Sequence, residues 1–366
     1  LPQRVAIVGV GYTPFRPVSP EVSFREMIFE AATKAYEDAG ITPAQVDTFM
    51  SVTEDYMEGT AIADEYVPDQ LGAVLKPVHT IGADGIAALG AAAMQLATGA
   101  FNVAVIEAHS KASNVLRPAH IEAFALDPVF IRPLAFHPHF IAGMEMRAFM
   151  ESSGLTKEQI AAVVEKNRRR ALRNPLAAYP ARVSASDVLS SPPVADPLRE
   201  LEVAQRADGA IVLVLATEEA AKKLSGTAVY IKGVGWSQDT PNLEARDWSR
   251  ARYAEAAAQR AYKMAGVKNP VREIDFAEVD DAFAYKEPQH LTALGLNGAK
   301  LPVNVSGGSL GCGYTHDMSG IRSVLECVLQ LRGHAGERQL DRARAGLAQS
   351  WRGIPTASGG VMVLGR

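Results

Sequence analysis

The chain has 366 residues, 48% of them hydrophobic and 21% charged, a composition that buries a large core and excludes an extended disordered protein. Glycine (30) and proline (21) are near ordinary usage, which excludes collagen-like and low-complexity classes, and a formal net charge of -4 argues against a general nucleic-acid binder. Two cysteines, Cys312 and Cys327, are too few for a disulfide framework and leave little material for a zinc site. At roughly 150 residues per domain, the length predicts about two domains.

The first residues, LPQRVAIVGVG, enter a strand-like apolar run with no basic n-region and no small-residue cleavage site, so the expectation is a cytoplasmic protein without a signal peptide. Gly85 to Ile106 is uncharged and nearly long enough to span a bilayer, but it is rich in Ala and Gly and divided by Gly99. It predicts a buried helix (Ile86 to Thr98) followed by a buried strand (Asn102 to Ala108), and no membrane association.

The chain repeats itself. RVAIVGVG (Arg4 to Gly11) matches AVYIKGVG (Ala228 to Gly235), each predicting a strand that ends in a tight glycine turn. AATKAYEDAGITPAQVDTF (Ala31 to Phe49) matches AAQRAYKMAGVKNPVREIDF (Ala257 to Phe276), each with helical spacing, a Gly suited to a left-handed C-cap, and a proline before a short strand. Those strands are FMSVTED (Phe49 to Asp55) and FAEVDDA (Phe276 to Ala282). Gly-rich turns leading into long buried helices form the third pair, Ile81 to Gly99 and Val305 to Gly333. Between Ser110 and about Asp208 the first copy carries an insertion, including a helix with Thr156 as N-cap, Glu158 in its first turn and Pro175 as its stop. The expected fold is α/β, with similar, mostly parallel-sheet halves at 1–224 and 225–366 joined near Lys222 to Gly226.

A duplicated half, an insertion in the first copy and Gly-rich turns before central helices together resemble the thiolase superfamily, which implies a layered αβαβα arrangement with central buried helices. Ser190 to Ala216 resembles the segment by which sterol-carrier-protein-type thiolases leave the insertion. FAEVDDAFAYKE (Phe276 to Glu287) resembles the family's Asn-Glu-Ala-Phe or His-Asp-Cys-Phe loop. NVSGGSLGCGYTHDMSGIR (Asn304 to Arg322) resembles its Gly-His-Pro segment, and TASGGVMVLGR (Thr356 to Arg366) its terminal Gly-rich strand. The catalytic positions depart from the family pattern. The nucleophilic cysteine falls on Gly82 of Gly82-Ala83-Asp84-Gly85, the acid/base cysteine on Ser358, the histidine on Tyr314, and the oxyanion-hole Asn or His on Asp280. Ping-pong acyl transfer needs a nucleophile on which to hold the acyl group between substrates.

Chemistry that needs only a pantetheine slot, enolate stabilisation and an acid/base is retro-aldol cleavage of a β-hydroxyacyl-CoA. The pattern is similar to the thiolase-like aldolases that shorten steroid side chains, releasing a ketone and a short acyl-CoA. The resemblance implies no permanently bound cofactor, CoA as the substrate's thioester carrier, a homodimer through the first half, and a small zinc-ribbon/OB-fold partner subunit. Candidate acid/base groups are Tyr314, Tyr285, Asp280, Asp281 and His316, and candidate contacts to the CoA thioester are Gly82, Gly307, Gly308 and Ser358. Tyr285, a lone tyrosine after a strand, can equally be packing, whereas a specific motif fixes the position of Tyr314; one of the paired aspartates can simply bind the following loop. Asp84 is a helix cap or an acid, and Cys312 a buried small hydrophobe or a relocated thiol. His137-Pro138-His139 has metal-like spacing but no supporting ligands, so no metal is expected. Lys166, Arg168, Arg169, Arg170 and Arg173 form a solvated face or reach a CoA phosphate. The rival readings are a thiolase-like acyltransferase subunit and a non-catalytic scaffold subunit.

Overall fold

A computed structural model describes residues 3–57, 59–224, 227–240 and 242–366; Ser225 and Gly226, at the expected joint, lie outside them. Strand β1 (Val5–Tyr12) leads to helix α1 (Phe24–Ala39), opened by a Ser23/Glu26 capping box and closed by Gly40 at φ 68°. Then come β2 (Thr48–Val52), β3 (Val78–Ile81), α2 (Gly85–Ala97) and β4 (Val103–Ser110). After the insertion, β5 (Gly209–Thr217) ends the first half. The second half repeats the plan with β6 (Val229–Gln238), and α5 (Arg252–Ala265), closed by Gly266 at φ 74°, follows the insertion helices α3 (His139–Ser153) and α4 (Lys157–Ala171). It continues through β7 (Phe276–Glu278), α6 (Lys286–Ala293), α7 (Gly308–Cys312), α8 (Ser319–Arg332), β8 (Ala345–Trp351) and β9 (Ser358–Gly365).

Among the described residues these strands form one nine-stranded sheet in the order β3-β2-β4-β5-β1-β6-β9-β8-β7. Val303 adds a parallel bridge to Ala277 beside β7, so the second half mirrors the first strand for strand. Pairs are parallel toward the two outer ends (β3 with β2, β2 with β4, β7 with β8) and antiparallel across the middle. The closing strand of each half returns beside its predecessor; antiparallel neighbours need no crossover helix, and β8 reaches β9 through a short loop. The halves join where β1 meets β6 at two residue pairs, Ala6 with Tyr230 and Ile7 with Val229.

The glycines of the repeated GVG motifs are not turns, because β1 and β6 both run on through them. A Cβ on Gly9 or Gly11 would lie 2.4 or 1.9 Å from the carbonyl oxygen of Ala35 or Ala31, and on Gly233 or Gly235 it would lie 2.2 or 2.3 Å from that of Ala261 or Ala257. They let α1 and α5 lie directly on the sheet, a period-2 feature that reads in sequence like a turn signal. On the opposite face α2 and α8 are sandwiched between the half-sheets, giving the αβαβα layering. Their ends meet at glycines: a Cβ on Gly85 would be 2.5 Å from Ile321, and one on Gly320 would be 3.0 Å from the Ile86 nitrogen.

The insertion's helix α4 has the Thr156 cap, completed by Gln159, and stops at Ala171, before Pro175. At its base the departing and returning chains are clamped. The buried Asp208 carboxylate accepts from Ser19 Oγ (2.6 Å), Ser113 Oγ (2.6 Å), Lys111 Nζ (3.0 Å) and the Ser113 nitrogen (3.0 Å). No helix among the described residues is long and apolar enough to cross a membrane.

Candidate active site

A cleft of about 190 Å³ opens where the insertion meets the second half. Its walls include Glu122 and His139 from the insertion, Val203 to Arg206 at the insertion's end, Ala282 and Phe283 after β7, Tyr314, and Ile354. Tyr314 is held by its backbone, its nitrogen donating to the Gln205 carbonyl (2.7 Å) and its carbonyl accepting from Ala207 (3.1 Å). Among the described residues nothing hydrogen-bonds its hydroxyl. The Arg206 guanidinium, itself paired with Glu122, lies 5.8 Å over the Tyr314 ring. Burial, reinforced by the nearby Asp280 charge, pushes the phenol well above its ordinary value, so it is a neutral donor.

The paired aspartates differ sharply. Asp281 has both oxygens engaged: it accepts from the Ser309 nitrogen, from Leu310 (3.3 Å) and from Asn167 Nδ2 (2.8 Å), anchoring α7. Asp280 accepts one backbone bond, from Ala282 to Oδ1 (3.1 Å), and its buried Oδ2 has no partner. Burial pushes its carboxyl up to about 7. Its carbonyl accepts from His290 Nδ1 (3.0 Å), and His290 Nε2 accepts from Tyr253 (2.7 Å). Burial lowers His290 to about 3, so the ring is neutral and this tautomer braces the Asp280 backbone.

Tyr285 lies apart from the cleft. It is fully buried behind Phe283, with ring centroids 6.1 Å apart, and its hydroxyl donates to Glu145 Oε2 (2.8 Å). The same carboxylate pairs with the buried Lys286 ammonium (2.8 Å), which also lies 4.2 Å over the Trp351 ring. His316, at φ 46°, has Nδ1 on Asp317 (2.9 Å). Burial alone would lower its pKa, but the Asp317 charge and hydrogen bond raise it. A Cβ on Gly353 would meet both Tyr314 Oη (2.4 Å) and His316 Nε2 (3.9 Å), so the two side chains converge on one spot.

Both thiols are buried and neither lines the cleft. Cys312 Sγ donates to the Ser306 carbonyl (3.2 Å) and accepts from Asn174 (3.4 Å), and burial pushes the thiol up to about 11. Cys327 is buried in the core stripe of α8. Asp84 caps α2, accepting from Ile86 (3.0 Å), Ala87 (3.2 Å) and Ser350 Oγ. Gly82 is exposed, with room for a side chain, and Ser358 is half-buried at the start of β9. Gly307 and Gly308 are buried against Ala171 and Asp281 and do not line the cleft. The run Lys166, Arg169, Arg170 and Arg173 faces a different groove, with Lys300 and residues 337–340. His137 and His139 stack edge-on at 4.5 Å, and burial lowers His139 to about 4.

Glu54 and Arg352 were not among the residues singled out in the sequence. Glu54 follows β2 and pairs with Arg352, which follows β8, and its ligand-type atoms lie within 4.8 Å of those of His316 and Asp317. The guanidinium on Glu54 disfavours a cation there. The internal repeat held the signal: FMSVTED against FAEVDDA sets Glu54 opposite Asp281.

Two half-sheets clasping paired central helices, with a site at the Gly-rich turns, define a thiolase-type protein. The chain belongs to the thiolase superfamily. A family model described as thiolase C-terminal domain-like matches residues 296–366. An acetyl-CoA acetyltransferase of Methanothermobacter thermautotrophicus is 31% identical, over 94% of this chain and 95% of that protein. A 17-hydroxy-3-oxo-4-pregnene-20-carboxyl-CoA lyase of Mycobacterium tuberculosis is 29% identical, over 90% of this chain and 92% of that protein. A solved Ltp2-ChsH2(DUF35) aldolase shares the fold at a TM-score of 0.85 and 24% identity, covering 100% of this chain and 98% of that one.

Proposed function

We propose that the chain is a CoA-thioester-dependent aldolase that cleaves a β-hydroxyacyl-CoA, with a bulky apolar acyl group such as a steroid side chain, into a ketone and a short acyl-CoA. The observation that carries this reading is the missing thiol: Gly82 and Ser358 stand where the family keeps cysteines, and the chain's two thiols are buried elsewhere. The cleft between the insertion and Phe283 supplies a slot for the pantetheine arm. On its wall the neutral Tyr314 phenol, with the protonated Asp280 carboxyl buried close by, supplies hydrogen-bond donors for the thioester enolate left by carbon–carbon cleavage. A neutral acid in a buried site can donate where a carboxylate cannot. Asp280, near 7, then passes a proton through Tyr314 to the enolate carbon. The Mycobacterium tuberculosis lyase supports the reaction class, and the aldolase named with a DUF35 partner supports a small partner subunit, which we take to be zinc-ribbon/OB-fold.

Acyl transfer is the second reading, favoured by the 31% and 30% identical relatives named acetyl-CoA acetyltransferases. A panel of β-hydroxyacyl-CoA esters, with and without prior iodoacetamide, separates the two. Release of a ketone and a short acyl-CoA at a rate unaffected by alkylation is the expected result. Thiolysis of a 3-oxoacyl-CoA abolished by alkylation would overturn the aldolase.

A further inference from the structure

The retro-aldol reading leaves one group unassigned: the base at the substrate's β-hydroxyl. This inference rests on that reading. We propose that Glu54 is that base, its carboxylate occupying the working space in which the family places its nucleophile.

Three observations carry it. First, glycine at position 82 leaves space, and Glu54 is its neighbour: a Cβ there would find Glu54 Cγ at 3.7 Å and the Thr53 carbonyl at 3.9 Å as its nearest contacts. A thiol at Gly82 would approach Glu54, so without one the carboxylate has access to whatever fills that space. Second, Glu54 is set but not used up. Arg352 engages Oε1, among the described residues nothing donates to Oε2, and the side chain is 25% exposed. Third, the pseudo-symmetry explains why it is available. In the second half the matching strand-end acid, Asp281, is consumed by capping α7. In the first half Asp84 caps α2 from within its own turn, and among the described residues Glu54 caps no helix.

The site then has two ends. At one end Glu54 Oε2 takes the hydroxyl proton, the O–H electron pair becomes the carbonyl π bond, and the Cα–Cβ pair moves into the thioester enolate. At the other end Cα takes a proton from the Tyr314 and Asp280 pair. One proton moves from oxygen to carbon, and no oxidant or reductant is required. His316, near Glu54 and converging with the Tyr314 hydroxyl, lies between the ends and can return the proton after product leaves.

The two ends separate experimentally. Exchange of the Cα hydrogens of propionyl-CoA or acetyl-CoA in D2O, read by mass spectrometry, uses only the enolate end, whereas cleavage of a β-hydroxyacyl-CoA needs both. Glu54→Gln should lower cleavage by 100-fold or more while exchange stays within about threefold of wild type, and Glu54→Asp should restore part of the cleavage. Tyr314→Phe should lose both. A Glu54→Gln protein that cleaves within tenfold of wild type overturns the assignment, as does one that loses exchange together with cleavage, since that marks a structural role. Wild-type protein that cleaves no member of the panel defeats the underlying reaction instead, a result read before any variant is made.

Discussion

Glycine does two opposite things around this site, and substitution distinguishes them. At Gly82 a side chain meets nothing closer than 3.7 Å, so Gly82→Cys should fold with a midpoint within a degree or two of wild type by calorimetry and should add one rapidly alkylated thiol. At Gly308 the φ is +60° and a Cβ would fall 2.2 Å from Asp281 Oδ2, so Gly308→Ala should cost more than about 2 kcal/mol and release the cap on α7. Asp280 gives a pH signature with a definite sign. Its folded value of about 7 lies above the usual carboxylate value, so its contribution to stability is full below about pH 4 and is lost as pH rises through 7. Asp280→Asn removes the buried charge and should be more heat-stable than wild type at pH 8, by an amount on the order of 2 kcal/mol, while turnover falls sharply. Turnover of the wild type should decline as pH rises through 7, because the donating form is the protonated one. A flat profile, or a variant less stable at pH 8 than its parent, would show that Asp280 is not the buried acid described.

Among the elements, the insertion is tied to the second half along α3 and α4 and to the first half at its base. Asp208 gathers Ser19, Lys111 and Ser113, so one carboxylate joins the N-terminal loop to both strands of the insertion's neck. Burial alone would raise its pKa; the hydrogen bonds from Ser113 and Ser19, with the Lys111 ammonium, hold it below the ordinary value instead. That stability is present above about pH 4 and is lost as acid protonates the group. Asp208→Ala leaves a buried ammonium unpaired and should cost about 3–5 kcal/mol, seen first as faster hydrogen exchange over residues 111–115. Unchanged exchange there would refute the clamp. The neck was not legible in sequence, because its partners come from three distant stretches of chain, at Ser19, Lys111 to Ser113 and Asp208. The helices were: Thr156 and the Ala-Gly ends at Gly40 and Gly266 are local signals, and local signals survive folding. The GVG pairs misled, since two glycines in a strand look the same whether they bend the chain or admit a helix.

Across the whole molecule, the internal repeat made the plan of two similar halves readable in the sequence, because two copies of one plan must pack alike, while the strand order was not. The candidate site was readable only where the copies or the family pattern point to it, as at Tyr314 and Asp280. Glu54 was hidden because its proposed role comes from what is absent beside it, at Gly82. Tyr285 illustrates the opposite case: a residue beside the family loop whose hydroxyl is directed to Glu145, inside the protein.

The seam between β1 and β6 is only two residue pairs long, so the sheet contributes little to holding the halves together. Their union lies instead in α2, which packs against strands of both copies, and in its contact with α8. Cut at the joint, neither fragment could shield its central helix from water, yet both would carry complementary apolar faces. The molecule is thus built as a permanent complex of two partners that happen to share one chain, and it should reassemble from separately encoded halves.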